Sequence, residues 1–501
     1  MHMNLTPVDW TILAVYLIGC MGAGLWMRRF VHGVEDFAVA GRVVNTYLGI
    51  ASLAATEMGL VTVMYTAQLG YTKGFAGATI GVIMAAAMFF VGWSGFVIGR
   101  LRRAGVMTIP ELFEKRFGKK VRWLAGFFVA AGGLLNMGIF LRLGGDFLVG
   151  ATGMPTNYLA AVMTALLVLV LLYTVLGGML SVLMTDYLQF LIVGMGVVVT
   201  SILVIRDIGW TNLVNGLWTA HAATGGAVAL PSNPFNPVDK SSFGWGYVLW
   251  QVAFQIAVVT TWQTTISRVL STKDEATAKR VYVRTAFYFV GRFALPGLWG
   301  AGALVYFANH GGLPAGLTDM TAMPAYLNKV LPPGLLGLVI AAMIAAEMST
   351  VSGYMLTWAT VIYNDLIVPC RKKPHSRAMN LLITRSIVLG IGVFLLFFGL
   401  WYQLPGNAWD FLAVTGTIYL ASVFTLLVAG LYWRQASSAG AIAALVLGAI
   451  GPITFLMVGK EKQIPAEVAG AASFGLAFLG MIVGSLLFPD KANEKQMEAA
   501  I

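Results

Sequence analysis

The chain has 501 residues, of which 58% are hydrophobic and only 11% are charged. A soluble protein of this length would be about one quarter charged, so the composition excludes a soluble domain and indicates an all-α integral membrane protein. The net charge of +11 does not indicate a nucleic-acid partner, because the basic residues fall in short loops between apolar stretches. Cys20 and Cys370 predict neither a disulfide nor a metal cluster.

About thirteen apolar stretches are long enough to cross a bilayer as helices. In chain order they are residues 10–27, 48–71, 77–99, 121–147, 156–176, 182–205, 245–267, 283–308, 333–364, 382–402, 408–432, 438–458 and 467–488. No cleavage site precedes the first stretch, so we expect it to be retained as a helix.

Basic residues indicate the orientation, since Lys and Arg concentrate in cytoplasmic loops. With the N-terminus outside, the inner segments hold most of them, including Arg28, Arg29, Arg42, Lys491 and Lys495. The outer segments hold only Lys73, Arg206, Lys240, Lys329, Lys460 and Lys462. We therefore expect a multi-pass protein of the cell (inner or plasma) membrane, with its N-terminus outside and its C-terminus cytoplasmic.

The number and order of the predicted spans indicate an internal inverted repeat, which is the architecture of many secondary transporters. Without the first span and the last two, ten spans divide into two sets of five whose first members cross in opposite senses. The predicted regions are an extra N-terminal helix (1–47), a first repeat (48–206), an external loop (207–244), a second repeat (245–434), and two C-terminal helices with a cytoplasmic tail (435–501).

Residues 343–365 of the ninth span are too polar for an ordinary lipid-facing helix. Ala346, Ser349 and Thr350 share one helical face, and their hydroxyl and carbonyl oxygens suit a small hard cation such as Na⁺. In the second span, Gly59 follows Glu57 in mid-membrane, and unwinding there would free further carbonyls for an ion. The alternatives are hydroxyls that bond back to their own helix and a glycine that only permits close packing.

Ionisable residues at membrane depth are functional candidates, because burying them is costly. They are Glu57, Arg142, Asp146, Asp186, Arg292, Glu347 and Asp410. Arg142 and Asp146 are spaced to pair with each other, and Arg292 is a structural candidate. Glu57 and Glu347 would each bind a cationic group, share a proton or pair with an arginine.

The seventh span combines Gln251, Gln255 and Gln263 with Trp262 and several threonines. Donors and acceptors beside an aromatic ring are typical of a pocket for a polar solute. The alternative is hydrogen bonding between helices without a ligand.

Several stretches together resemble the sodium:solute symporter family, which includes sodium-coupled sugar, proline and sialic acid carriers. They are Gly177-Gly178-Met179, Thr185-Asp186 with Gln189, Ala346-Glu347-Met348-Ser349-Thr350, Gln263 with Arg268, Ser271 to Ala276, and Gly430-Leu431-Tyr432-Trp433. The resemblance extends over nearly the whole chain. It implies the LeuT-type fold, an inverted five-helix repeat with its binding sites at mid-membrane, and Na⁺ as the co-transported ion.

The resemblance also implies roles for individual residues. The sodium site would consist of the carbonyls of Ala55, Met58 and Ala346 and the hydroxyls of Ser349 and Thr350. Asp186 matches the family's acidic residue near the inner side of that site, and Gln263 matches a glutamine of the substrate helix. The expected substrate-binding set is Glu57, Thr62, Asn136, Gln251, Gln255, Trp262, Gln263, Glu347, Trp409 and Phe411.

Departures from the family pattern bear on the solute. Residues 81–84 stand where sugar carriers have an acidic residue, and Asn136 stands where the sialic acid carrier has its carboxylate-binding arginine. No basic partner for Glu57 is evident in its layer, because Arg142 lies toward the outer end of its span. Glu57 and Glu347 therefore predict an amino-bearing or cationic solute, with a carboxylate or another neutral polar solute as the alternatives.

The leading functional hypothesis is a sodium-coupled symporter that imports a small polar solute by alternating access. The alternative is a solute sensor or receptor that retains the same fold, although only about a dozen residues follow the last span. An enzyme is not expected, since no Ser–His or His–Glu constellation lies at membrane depth. The expected partners are the solute and the lipid bilayer, and the sequence leaves the oligomeric state and the identity of the solute open.

Overall fold

The protein is described by a computed structural model that covers residues 5–27, 44–222, 230, 232–371, 373, 375–402, 404, 406–462 and 464–490. Helices dominate these ranges, and extended pairing in them is limited to an isolated bridge between Val44 and Thr272. The predicted all-α fold is therefore confirmed. Arg28, Arg29 and Arg42 and the tail that contains Lys491 and Lys495 lie outside the described residues.

The first half of the chain forms ten α-helices. They are α1 (Pro7–Met27), α2 (Thr46–Glu57), α3 (Leu60–Lys73), α4 (Thr79–Ser94), α5 (Ile98–Arg103), α6 (Ile109–Phe117), α7 (Lys119–Met137), α8 (Phe140–Thr152), α9 (Leu159–Ile208) and α10 (Trp210–Ala222).

The second half forms eleven more α-helices, and a π-helical turn (Ile362–Ile367) extends the sixth of them. They are α11 (Gly244–Thr261), α12 (Gln263–Ser271), α13 (Glu275–Ala286), α14 (Tyr288–Asn309), α15 (Asp319–Val330), α16 (Leu335–Val361), α17 (Arg377–Trp401), α18 (Ala408–Tyr432), α19 (Ser438–Gly448), α20 (Ile450–Lys462) and α21 (Ala466–Leu487).

Within the described ranges, ten helical stretches are long and apolar enough to cross a membrane. The predicted count of thirteen spans is thus not confirmed. The predicted second and third spans contribute one such stretch, Leu60–Ser94, and the predicted spans at 245–267 and 283–308 are not among the ten. Local breaks explain part of the difference, because the helices that make up the second and seventh spans are interrupted.

Two membrane helices are discontinuous at mid-length. Between α2 and α3, Met58 and Gly59 leave the helical region, with ψ values of 60° and 162°. This confirms the predicted unwinding beside Gly59. Between α11 and α12, Trp262 is extended at a ψ of 108°. The interrupted helices open the two predicted repeats, whose boundaries at 48–206 and 245–434 remain predictions.

Helix α9 comprises the predicted spans at 156–176 and 182–205, which are confirmed as two separate apolar stretches, Thr156–Val175 and Ser181–Ile208. It runs through both of them and bends at Gly178, whose φ of 55° and ψ of −154° are non-helical. A glycine tolerates this conformation because it has no side chain to clash with the backbone. The predicted connection between the fifth and sixth spans is therefore a kink.

The centre of the molecule is formed by α16 and α18. In each of these helices, 89% of the apolar span is buried inside the protein, compared with 28% for α17. Helix α9 packs along α16, and α1 packs against both. Polar groups on α16 therefore face other helices, where they must find partners within the protein.

The N-terminus of α16 is capped by the first helix of the chain. Gly334 precedes α16 at a φ of 83° and has no side chain with which to cap it. Asp9 of α1 supplies the acceptor, because its Oδ1 lies 2.7 Å from the backbone nitrogens of both Gly334 and Gly337. Asp9 is fully buried, so α1 is fastened to the central helix by this carboxylate.

We expect Asp9→Ala to lower the free energy of unfolding by about 1–3 kcal/mol, since the backbone donors of α16 would lose their acceptor. The measurement is the thermal unfolding midpoint of the purified protein in detergent. Asp9→Asn is the matched control, because it keeps one acceptor oxygen and should lower the unfolding midpoint less. Equal midpoints for wild type and Asp9→Ala would contradict the capping role.

Glycines allow α3 and α14 to approach closely, and they provide a second test of the packing. A Cβ on Gly300 would lie 1.8 Å from the carbonyl oxygen of Ala67, whereas a Cβ on Gly297 would have its nearest neighbour, the carbonyl oxygen of Thr66, at 3.6 Å. We expect Gly300→Ala to destabilise the protein by about 1–3 kcal/mol and Gly297→Ala to leave the unfolding midpoint close to that of wild type. Similar midpoints for the two variants would show that the helices separate freely.

Candidate functional site

The break after α2 exposes backbone carbonyls that helix geometry leaves without partners. The carbonyl of Thr56 accepts a hydrogen bond from Thr350 Oγ1 at 2.8 Å, and that of Glu57 accepts one from Thr62 Oγ1 at 3.1 Å. A Cβ on Gly59 would lie 2.5 Å from Thr350 Oγ1. The glycine therefore allows the α16 hydroxyl to reach the broken segment.

The predicted sodium ligands are all buried: Ala55, Met58, Ala346, Ser349 and Thr350. They come from the end of α2, its break and the middle of α16, and Thr350 joins these elements by its contact with Thr56. Hydroxyl and carbonyl oxygens are ligands that suit a hard cation. The described residues contain no cluster of three or more His, Cys, Asp or Glu side chains that would suit another metal.

Asp186, on α9, is fully buried beside these residues. Its Oδ1 accepts a hydrogen bond from Ser349 Oγ at 2.5 Å, and its Oδ2 accepts one from Ser52 Oγ at 2.7 Å and one from Thr56 Oγ1 at 3.4 Å. Arg268 Nη2 lies 3.9 Å from Asp186 Oδ2. The structure thus brings Asp186 together with Ser349 in one polar layer.

Arg268 is a member of this layer that the sequence reasoning used only as a mark of resemblance. It is buried on α12, and its Nη2 donates to Thr56 Oγ1 at 2.7 Å. A Cβ on Gly353 of α16 would lie 2.6 Å from the same nitrogen. A positive charge at the end of the apolar seventh span, beside several threonines, was the available signal, since a buried charge requires a partner.

Glu57 has a basic partner, contrary to the expectation from the sequence. Arg292 Nη1, on α14, lies 3.2 Å from Glu57 Oε2, and Thr265 Oγ1 donates to Glu57 Oε1 at 2.7 Å. Both charged side chains are at most 8% exposed. The partner was missed because span order does not reveal which faces of α2 and α14 meet.

A central cavity lies next to the Glu57–Arg292 ion pair. Six residues of the predicted substrate set line it, namely Glu57, Thr62, Asn136, Gln255, Trp262 and Trp409. Its aromatic lining comprises Tyr65, Phe140, Phe254, Trp262, Tyr354 and Trp409. Trp262 donates from Nε1 to the Tyr354 hydroxyl at 3.0 Å, so the α11–α12 break is fixed at the edge of the cavity.

The other four predicted substrate residues lie outside the cavity lining: Gln251, Gln263, Glu347 and Phe411. Gln251 Oε1 accepts a hydrogen bond from Gln255 Nε2 at 3.1 Å, so it supports a lining residue. Gln263 Oε1 accepts one from the backbone nitrogen of Ile109 at 3.3 Å, which ties α12 to the start of α6.

Glu347 is fully buried on α16, close to Gly144 of α8. Neither of its carboxyl oxygens has a hydrogen-bond partner within the described part of the chain. The side chain is thus separate from the cavity that contains Glu57. One helix turn of α16 therefore presents Glu347 to α8 and the hydroxyls of Ser349 and Thr350 to α9 and α2.

Comparisons with known proteins identify the family to which this chain is similar. The sequence profile of the sodium:solute symporter family matches residues 37–448. The sodium/glucose cotransporter of Vibrio parahaemolyticus is 26% identical and aligns over 98% of this chain and 92% of its own length. The sodium/glucose cotransporter 1 of Oryctolagus cuniculus is 23% identical over 93% of this chain and 73% of its own length.

A solved structure of a Na⁺-coupled sialic acid symporter, in a substrate-bound outward-open state, has a TM-score of 0.80 at 19% identity, covering 97% of this chain and 100% of that one. MhsT in complex with L-phenylalanine has a TM-score of 0.53 at 14% identity, covering 89% and 98%. These likenesses show a shared fold and confirm the predicted LeuT-type architecture. The chain therefore belongs to the sodium:solute symporter family, as a secondary transporter in the lipid bilayer with Na⁺ as its co-transported ion.

Proposed function

We propose that the protein imports a small solute together with Na⁺ by alternating access. The solute occupies the central cavity, and Na⁺ binds beside the α2–α3 break to Ala55, Met58, Ala346, Ser349 and Thr350, with Asp186 at the inner side. The observation that carries this proposal is the contact of Thr350 on α16 with the Thr56 carbonyl at the break. This contact supports one shared site, because it joins the helix of Ser349 and Thr350 to the segment that contains Ala55 and Met58.

Coupling between ion and solute follows from two adjacent residues at the end of α2. Thr56 contacts Thr350, Asp186 and Arg268 on the ion side. Thr56 and its neighbour Glu57 both line the cavity. A ligand that rearranges one residue also moves the other, and the two affinities become linked reciprocally.

The predicted amino-bearing or cationic solute is not part of this proposal. That hypothesis rested on a Glu57 carboxylate without a basic partner, whereas Arg292 lies 3.2 Å from it. The alternative of a sensor or receptor has no specific observation in its favour. The inward direction of transport remains a proposal, as does the predicted orientation with the N-terminus outside and the C-terminus cytoplasmic.

We expect Ser349→Ala and Thr350→Ala each to raise the Na⁺ concentration for half-maximal uptake about threefold to tenfold. Each change removes one oxygen ligand, and a tenfold change corresponds to about 1.4 kcal/mol of binding free energy. The measurement is solute uptake into liposomes at varied Na⁺ and constant ionic strength.

Thr360→Ala is the control on the same helix, because its buried hydroxyl only bonds back to the Leu356 carbonyl at 2.8 Å. It should retain the Na⁺ dependence of wild type. If Ser349→Ala and Thr350→Ala behave like this control, the proposed sodium site is wrong.

Asp186→Asn should preserve membrane insertion and change the affinity or cooperativity of Na⁺. The amide keeps the shape of the side chain, but it removes the charge 3.9 Å from Arg268 Nη2 and the acceptor for Ser349. The measurement combines surface expression with Na⁺ titration of uptake. Wild-type kinetics in this variant would reduce Asp186 to a helix-packing residue.

A further inference from the structure

We propose that the solute is an organic monocarboxylate, which binds to the guanidinium group of Arg292 in the central cavity. This inference rests on the proposed function, because it specifies the chemical class of solute for the same cavity. Three observations carry it: the unused donors of Arg292, the satisfied oxygens of Glu57, and the charge balance around the predicted sodium site.

Arg292 has more N–H donors than its neighbours offer charged acceptors. Its Nη1 contacts Glu57 Oε2 at 3.2 Å and Met84 Sδ at 3.6 Å. Its Nη2 donates to the hydroxyl oxygens of Thr62 at 3.2 Å and Tyr65 at 3.0 Å, and its buried Nε has no hydrogen-bond partner in the described part of the chain. One carboxylate oxygen is therefore the only charged acceptor that this cation contacts among the described residues.

The Nε and Nη2 groups form one edge of the planar guanidinium, and this edge has only neutral acceptors. Arg292 and the two residues that Nη2 contacts, Thr62 and Tyr65, all line the cavity, so the guanidinium group is within reach of a solute bound there. Two parallel N–H groups match the two oxygens of a carboxylate and form the strongest kind of arginine contact. A solute carboxylate on this edge would replace the weaker hydroxyl contacts.

Glu57, by contrast, has a donor for each oxygen. Thr265 Oγ1 donates to Oε1, and Arg292 contacts Oε2. A cationic solute would have to displace Arg292 and would leave two positive groups adjacent in a buried site, which is unfavourable. A neutral solute would use the Arg292 edge without offsetting any charge.

Charge balance also favours an anion. The Glu57–Arg292 and Asp186–Arg268 pairs are each neutral as a pair. A Na⁺ ion bound at the predicted ligands adds one positive charge to these neutral pairs, which is costly in a low-dielectric interior. A solute carboxylate brought in with Na⁺ restores neutrality. Glu347 lies against Gly144 of α8 and does not line the cavity.

The rest of the cavity indicates the body of the solute. Its lining is largely aromatic and aliphatic, including Phe140, Phe254, Tyr354 and Leu420. Aromatic rings favour a compact apolar or aromatic group that stacks against them. The inferred solute is therefore a monocarboxylate with a small apolar or aromatic body.

The test compares small molecules that share one carbon skeleton and differ in the functional group. The probes are acetate with acetamide, and benzoate with benzamide and benzylamine, added to the purified full-length protein in NaCl or in choline chloride. The readout is the shift in thermal unfolding midpoint, followed by uptake into liposomes. We expect at least one carboxylate to bind at least tenfold more tightly than its amide, in Na⁺ only, and benzylamine not to bind.

Two variants at the ion pair sharpen the test. Glu57→Gln removes the competitor for Arg292 and should strengthen carboxylate binding at least threefold, whereas a cationic solute would lose affinity. Arg292→Lys keeps the charge but loses the two-pronged edge and should weaken carboxylate binding at least tenfold. Arg142→Gln is the matched control outside the cavity lining, where the arginine pairs with Asp146 at 3.0 Å, and it should bind like wild type.

The outcomes separate this inference from the proposed function. An amide or amine that binds as tightly as its carboxylate, or a probe series in which no carboxylate binds, overturns the inference. A retained midpoint without ligand shows that the Glu57 and Arg292 variants are folded. Na⁺-driven uptake of a neutral solute would overturn the carboxylate and preserve the symporter, while uptake that is equal in Na⁺ and choline would overturn the symporter itself.

Discussion

The structure depends on how an interrupted helix is accommodated inside the membrane. Unwound backbone at membrane depth has no water to satisfy it, so it persists only where protein groups or a cavity supply partners. Here Thr350 and Thr62 donate to the carbonyls of Thr56 and Glu57. These hydroxyls supply the partners that the carbonyls at the break require. Because a hydroxyl also presents oxygen lone pairs, the same groups are suited to turn toward Na⁺.

The second interrupted helix organises the charges around the first. Helix α12 starts directly after Trp262 and places Thr265 and Arg268, three residues apart, on one face. Thr265 donates to Glu57, and Arg268 donates to Thr56. One short helix therefore holds both residues at the end of α2. A tilt of α12 during alternating access would move residues of the cavity and of the predicted sodium site together.

Local signals in the sequence were sufficient for the all-helical membrane fold and for the first helix break. Long apolar stretches predicted the membrane helices, and Gly59 after a mid-membrane Glu57 predicted the first break. The break at Trp262 has no glycine or proline to announce it, and the contact of Trp262 with Tyr354 is not evident from the sequence. The partner of Glu57 was also out of reach, since Arg292 is distant in sequence and only the packing of α14 brings it to α2.

The two ion pairs also bear on how the empty carrier returns. A symporter without cargo must change conformation with whatever charges its site contains, and unpaired charges in a membrane interior are costly to move. Here the carboxylates of Glu57 and Asp186 each lie within 4 Å of an arginine supplied by another helix. The empty site is thus internally compensated. Bound Na⁺ and solute are then the only charges added to the site. Their net charge determines how the electrostatic cost of the conformational change differs between the loaded and the empty carrier.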